Sequence, residues 1–328
     1  MQTRLTQMLG IEHPILSAPL AFAGGGKLAA AVSGAGGLGM IGGGYGDAGW
    51  LDREFAEAGD ARVGCGFITW SLAQKPQLLE LVLEHAPFGI MLSFGSPTSF
   101  AQQIKATATR LICQVQTLAM AREAVAAGAD VIVAQGAEGG GHGIGRATFT
   151  LVPEIADYLS GTAPDTVLVA AGGIGDGRGL AAALMLGADG VLIGTRFLAS
   201  TEALVAQGLH AAVLAADGDS TIRTRVVDIA RRIDWPEPIT GRVLKTRFTM
   251  DWHGREATLS EPAILEREET RYRNAVNAGD IDNAAVFAGE VVGLIHDIAP
   301  AGDILHRIVR EAEDLLGRAA KAPNSLSG

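Results

Sequence analysis

The chain has 328 residues, 48% hydrophobic and only 19% charged, which describes a packed globular protein and excludes a disordered or collagen-like one. A formal net charge of −10 argues against a nucleic-acid partner, which needs clustered Lys and Arg, and leaves small-molecule substrates open. Cys65 and Cys113 belong to no CxxC pair and no metal-spaced cluster, so neither a disulfide framework nor a metal site is expected, and a cytoplasmic location follows.

The first ten residues, "MQTRLTQMLG", lack the apolar stretch of a signal peptide. Residues 28–46 carry no charge, but their glycines and the "SGAGG" break read as a short helix followed by a buried strand, with no membrane association. Eight apolar runs of strand length follow one another: "PILSAP" (14–19), "GLGMIG" (37–42), "RVGCGFI" (62–68), "GIMLSF" (89–94), "LICQV" (111–115), "DVIVAQ" (130–135), "TVLVAA" (166–171) and "GVLIGT" (190–195). Most are apolar on consecutive positions, as parallel strands buried on both faces require. Helical stretches lie between them, such as "GKLAAAVSGA", "KPQLLELVLEHA", "TLAMAREAVAAGA" and "GRGLAAALMLGA". The junctions repeat one pattern: a helix rich in Ala and Leu, a Gly-Ala stop, then a strand, with the glycine as C-cap.

Eight strands alternating with helices predict a (β/α)8 TIM barrel over residues 1–216. The competing dinucleotide-binding fold would need its GxGxxG after a strand and before a helix. The "GAGGLG" at residues 34–39 has the reverse order, and "AGGGK" (23–27) lacks P-loop spacing. Residues 217–292 are richer in charge, with "RTRVVDIARRIDW" and "EREETRYRNAVNAGDID", and predict an added helical subdomain or lid without a clear strand series. Residues 293–328 predict an amphipathic helix that packs back on the barrel through Ile304, Leu305, Ile308, Val309 and Ala312, ending in a frayed "KAPNSLSG" tail.

In such a barrel the chemistry sits past the C-terminal ends of the strands. After the seventh and eighth runs come "AAGGIGDGRG" (170–179) and "GTRFLAS" (194–200), whose glycines let backbone N–H groups approach a phosphate. Asp176 and Arg178 would cap or brace the first loop. Arg196 is either a phosphate partner or a surface cation. After the sixth run comes "GAEGGGHG", with His142 among glycines where no helix face would hold it. That placement marks His142 as a site residue able to accept a proton or stabilise an anion. Glu138 either orients this loop or faces water. Ala18, Pro19 and Leu20 lie at the barrel mouth and Gly66 exposes backbone there. Gln114 offers an amide to a ring heteroatom. Trp70 and Phe94 are pocket walls or simple packing.

These residues resemble the nitronate monooxygenases, formerly 2-nitropropane dioxygenases. The resemblance rests on "PILSAPLAFA", "VGCGFITW", "AQGAEGGGHG", "AAGGIGDGRGLAAALMLGADGVLIGTRFL" and "VFAGEVVGLIHDIAPAGDIL", in that order over nearly the whole chain. It departs from the family pattern at "APL" and "EGGGHG", where "APM" and "EAGGHG" are common. The resemblance implies an FMN-dependent barrel with an added helical region. It places the flavin phosphate at Gly172, Gly173, Gly194 and Thr195, with Gly140 and Gly141 beside the cofactor. It places the isoalloxazine near Ala18, Pro19, Leu20, Gly66 and Gln114, and matches His142 to the active-site histidine. The implied reaction is oxidation of a small nitro or nitronate substrate with O2, yielding a carbonyl compound and nitrite. The alternatives are an FMN-dependent enoyl-thioester reductase using NAD(P)H and a flavin-binding protein without turnover. A homodimer is compatible with all three.

Overall fold

A computed structural model describes residues 1–321. Eleven strands form in chain order: β1 (Ile15–Ser17), β2 (Gly39–Gly44), β3 (Val63–Ile68), β4 (Gly89–Ser93), β5 (Arg110–Val115), β6 (Val131–Gln135), β7 (Gly141–Gly143), β8 (Val167–Ala171), β9 (Gly190–Ile193), β10 (Thr221–Thr224) and β11 (Thr240–Leu244). Eight of them pair in parallel in the order β1-β9-β8-β6-β5-β4-β3-β2. The two ends of that sheet meet: Ser17 N–H donates to the Leu38 carbonyl (3.0 Å) and Leu38 N–H to the Ile15 carbonyl (3.0 Å). The expected (β/α)8 barrel is therefore present, with a strand overlapping each of the eight apolar runs.

The alternation within β6 shows why these runs are apolar on most consecutive positions. Val131 and Val133 join Leu16, Met40, Met91, Ile112, Val169 and Leu192 in the barrel interior, which Leu5 and Leu9 of the N-terminal helix Arg4–Leu9 plug from below. Ile132 and Ala134 face outward into the layer between sheet and helices. Both faces are dry, so both sets must be apolar. At three helix-to-strand junctions the glycine after the helix sits in the left-handed region, Gly36 at φ 88°, Gly128 at 81° and Gly187 at 94°, where a side chain would be strained.

The C-terminal helix Ala301–Lys321 returns to the barrel, burying Ile304, Leu305, Ile308, Val309 and Ala312. It approaches the helix Gly177–Met185 so closely that a Cβ on Gly177 would lie 2.5 Å from the Ala312 nitrogen. The "KAPNSLSG" tail falls outside the described residues beyond Lys321. Residues 28–46 form the expected helix and strand. Among the described residues no helix is long and apolar enough to cross a membrane.

The segment 217–292 is mainly helical, including Pro262–Ala278. It also carries two strands, β10 and β11, which the sequence reading did not mark. These pair antiparallel, and β11 pairs with β7, so Gly241 lies opposite His142. "TIRT" and "TGRVL" have no apolar run to betray them, because part of their surface faces polar groups.

Candidate functional site

At the C-terminal end of the barrel lies a cavity of about 320 Å³. Its wall includes the twelve residues expected at the flavin and the active-site histidine: Ala18, Pro19, Leu20, Gly66, Gln114, Gly140, Gly141, His142, Gly172, Gly173, Gly194 and Thr195. A wider hollow of about 960 Å³ adjoins it, sharing Glu138, Gly172, Gly173, Ile174 and Val291, but does not reach His142.

Ala18–Leu20 follow β1, and Gly66 sits in β3 against Pro19, where a Cβ would come within 2.3 Å of the proline ring. Gln114, on β5, accepts from Ser93 Oγ (2.7 Å) and donates to Gln135 Oε1. Gln135 also accepts from Gln116 (2.8 Å) and donates to the His142 carbonyl (3.2 Å), so an amide chain ties the C-terminal ends of β5 and β6 to the histidine loop. Gly172 and Gly173 follow β8 with φ of 98° and 74°. Gly194 and Thr195 follow β9. No acceptor among the described residues meets the amide N–H of Gly173, Gly194 or Thr195. Bare amides on two neighbouring loops suit a phosphate.

The flanking residues divide. Glu138 orients the loop: its carboxylate accepts from Thr148 N (3.0 and 3.1 Å) and Oγ1 (2.8 Å). Asp176 caps the helix Gly177–Met185 through Gly179 N (3.1 Å) and pairs with Arg178. Arg196 is neither a phosphate partner nor a surface cation. It is buried, and donates to the carbonyl and carboxylate of Asp297 at 2.8 and 2.9 Å. Burial lowers its pKa and Asp297 opposes that shift.

His142 stands at the centre of contacts the sequence did not disclose. Its Nε2 faces both oxygens of Asp228, at 3.1 and 2.9 Å, and both side chains are almost fully buried. Its ring stacks on Trp235, with centroids 3.6 Å apart and planes within 9°. Phe94 and Phe287 pack at its edges. Phe94 holds φ 62°, a strained conformation for a bulky residue, directly after β4. Trp235 donates from Nε1 to the Tyr45 hydroxyl at 3.0 Å. Burial holds the Tyr45 phenol above its ordinary pKa, with Arg231 pulling the other way. Trp70 packs edge-on against Trp235 (5.3 Å) and Tyr45 (6.1 Å), supporting the wall from behind, whereas Phe94 lines the cavity itself.

Asp228, Arg231, Trp235, Tyr45, Phe287 and Gln135 are thus site residues missed from sequence. One signal was available: in "VVDIA" a lone acid interrupts an apolar run, the mark of a buried carboxylate with a partner. Another was Gln135, the one polar residue of β6. Cys65 and Cys113 lie in strands away from this chemistry; burial raises both thiols, Cys113 to about 12. No group of three or more His, Cys, Asp or Glu among the described residues could hold a metal.

The chain matches the family model "Nitronate monooxygenase" over residues 2–62 and 68–311. It is 37% identical to the nitronate monooxygenase npaC of Metarhizium robertsii, across 92% of this chain and 90% of that one. Among solved structures it resembles FabK from Thermotoga maritima, with a TM-score of 0.85 and 33% identity over 98% of this chain and 99% of that chain. It also resembles a nitroalkane oxidase from Streptomyces ansochromogenes, with a TM-score of 0.81 and 25% identity over 98% of this chain and the whole of the other. A closed parallel barrel, two glycine loops with bare amides, a buried histidine at the barrel mouth and this full-length likeness lead to one conclusion: the chain belongs to the nitronate monooxygenase family.

Proposed function

We propose that this protein oxidises alkyl nitronates with O2, using FMN, and releases a carbonyl compound and nitrite. The observation that carries the reading is His142, fixed between Asp228 and Trp235 in the cavity that also contains the two glycine loops. Gly172, Gly173, Gly194 and Thr195 would hold the flavin phosphate, which the bare amides support. Ala18, Pro19, Leu20, Gly66 and Gln114 would border the ring system, with Gly140 and Gly141 beside it. Gln114 spends one amide hydrogen on Gln135 and keeps the other for a ring heteroatom. When bound, the flavin supplies the electron acceptor and the site of O2 reduction.

The protein supplies position and protons. With Nε2 committed to Asp228, Nδ1 of His142 is the nitrogen left for substrate. In the neutral ring Nδ1 accepts the α-proton of a nitroalkane; in the cation it donates to a nitronate oxygen. Asp228 serves both states, fixing the tautomer and offsetting the positive charge. The aromatic rings around His142 exclude water and favour a small substrate.

The likeness to FabK gives some support to a second reading, reduction of an enoyl thioester with NAD(P)H. One experiment separates the readings. The holoprotein is given ethylnitronate in air while O2, nitrite and the flavin spectrum are followed. It is then given crotonyl thioester with NAD(P)H. Nitronate-dependent O2 uptake with nitrite release is expected. Nicotinamide consumption that depends on the enoyl substrate, without nitronate turnover, would replace this reading with the second. A flavin spectrum bleached by neither substrate would leave a binding protein without turnover.

A further inference from the structure

One arginine near the site has neither a close carboxylate nor a cage of carbonyls around it. Of its neighbours, Arg225 pairs with Glu237 (2.6 Å), Arg242 with Glu290 (2.9 Å), and Arg232 with Glu269 (2.5 Å). Arg223 is wrapped by the carbonyls of Ala137, Gly143 and Thr240. Arg231 differs. Among the described residues its one ion-pair partner is Asp228, and their closest approach is 3.8 Å, beyond hydrogen-bond reach. Both Asp228 oxygens already face His142. The Arg231 side chain is 24% exposed, and its guanidinium carbon lies 5.3 Å from the Tyr45 ring and 5.9 Å from the Phe287 ring. Among the described residues it is the one Lys or Arg lining the cavity. The carboxylate lining it, Glu138, is occupied by Thr148 beside the glycine loops.

We propose that Arg231 is a specificity-determining residue that selects the anionic nitronate over its neutral nitroalkane parent. The proposal rests on the nitronate reading above. A guanidinium held between two rings is poorly solvated, so an anion within reach regains the hydrogen bonds that water does not supply. The nitronate carries its charge on two oxygens of a planar fork, which matches two parallel N–H groups of the guanidinium. Asp228 and Arg231 cancel in charge, so the approaching anion meets no net repulsion from the pair. A nitroalkane presents the same shape with little charge and gains far less. Arg231 therefore acts on nitronate binding, while His142 serves either substrate.

The test uses flavin-loaded wild type, Arg231→Gln and Arg231→Lys. In each, kcat and KM are measured for ethylnitronate and for nitroethane, with flavin content and thermal unfolding as folding controls. Nitrate, a planar monoanion, is titrated calorimetrically as a probe independent of turnover. Arg231→Gln is expected to raise KM for ethylnitronate about tenfold or more, the size of one lost charge-assisted hydrogen bond. Nitroethane kinetics should stay within about threefold, and nitrate affinity should fall by a factor like that for the nitronate. Arg231→Lys should recover part of both losses, since it keeps the charge but not the fork. An unchanged ratio of kcat/KM for the two substrates, an equal fall for both, or nitrate binding indifferent to the substitution would overturn the assignment. Wild type that binds nitrate through Arg231 but leaves ethylnitronate untouched would refute the nitronate reading while upholding the anion site.

Discussion

The imidazole of His142 lies flat on the indole of Trp235, 3.6 Å between centroids, while its Nε2 points at Asp228. The stack fixes the plane of the ring and the carboxylate fixes its rotation within that plane. Both partners come from residues 226–235, roughly 90 positions along the chain from the histidine loop. Trp235 is 1% exposed, so Trp235→Ala is expected to cost roughly 3–5 kcal/mol of stability and to lower turnover. Trp235→Phe should restore most of the stability. Thermal unfolding and steady-state kinetics on both variants check this; equal stability of Trp235→Ala and wild type would contradict the packing described.

Asp228→Asn keeps the shape and removes the charge opposite Nε2. Turnover is expected to fall on the order of 10²-fold, with flavin content unchanged, because the amide can turn its N–H toward the ring and favour the wrong tautomer. Measured kcat and the ratio of flavin to protein decide it. Asp228→Glu should regain some activity, which a purely structural role would not produce.

His142→Asn should leave flavin binding near normal and reduce turnover about 10²-fold or more. Unchanged kinetics would remove His142 from the reaction.

Gly173 holds φ 74° and faces the Glu138 side chain, with its own N–H bare. Gly173→Asp is expected to yield flavin-free protein, because a carboxylate would meet the phosphate. Gly173→Asn tolerates the same backbone without the charge and should retain more flavin. The flavin absorbance of the purified variants is the measurement, and full flavin in the aspartate variant would contradict the phosphate placement.

The histidine pair at the base of the barrel sets a pH dependence. His13 meets His306 edge-on at 5.8 Å, its Nδ1 is buried without a partner, and burial first, then the charge of the N-terminus, lowers its pKa from 6.5. The unfolded chain then binds more protons than the folded one below about pH 6.5, so stability declines as pH falls through that range. His13→Asn should flatten the fall in melting temperature between about pH 7 and 5.5. A fall of undiminished slope in that variant would assign the effect elsewhere.

The barrel was legible because its physics is local. A strand dry on both faces is apolar at most positions, and the left-handed residue just past a helix favours glycine, so eight runs and their Gly-Ala junctions announce themselves. Most of the twelve expected site residues were legible for a related reason: strand ends point to one place once the strands are counted, and the family resemblance added Gly140 and Gly141. The partners of His142 were not. β7 and β11 pair across about 100 residues with no periodicity to mark them, and Asp228 acquires its meaning from a histidine that no spacing rule links to it. Arg196 misled for the same reason, since its partner Asp297 is 101 residues away.

Gly140 and Gly289 press together so closely that a Cβ on either would strike the other's nitrogen, at 2.5 and 2.7 Å. The histidine loop and the late segment are therefore cast as a single seam. A chimera that joins this barrel to another relative's residues 217–292 must bring both glycines and the Asp228–Trp235 stretch together, or the graft will fold around a histidine with nothing to aim it. Shortening the protein at residue 216 would likewise discard the aim of His142 while leaving every barrel strand intact.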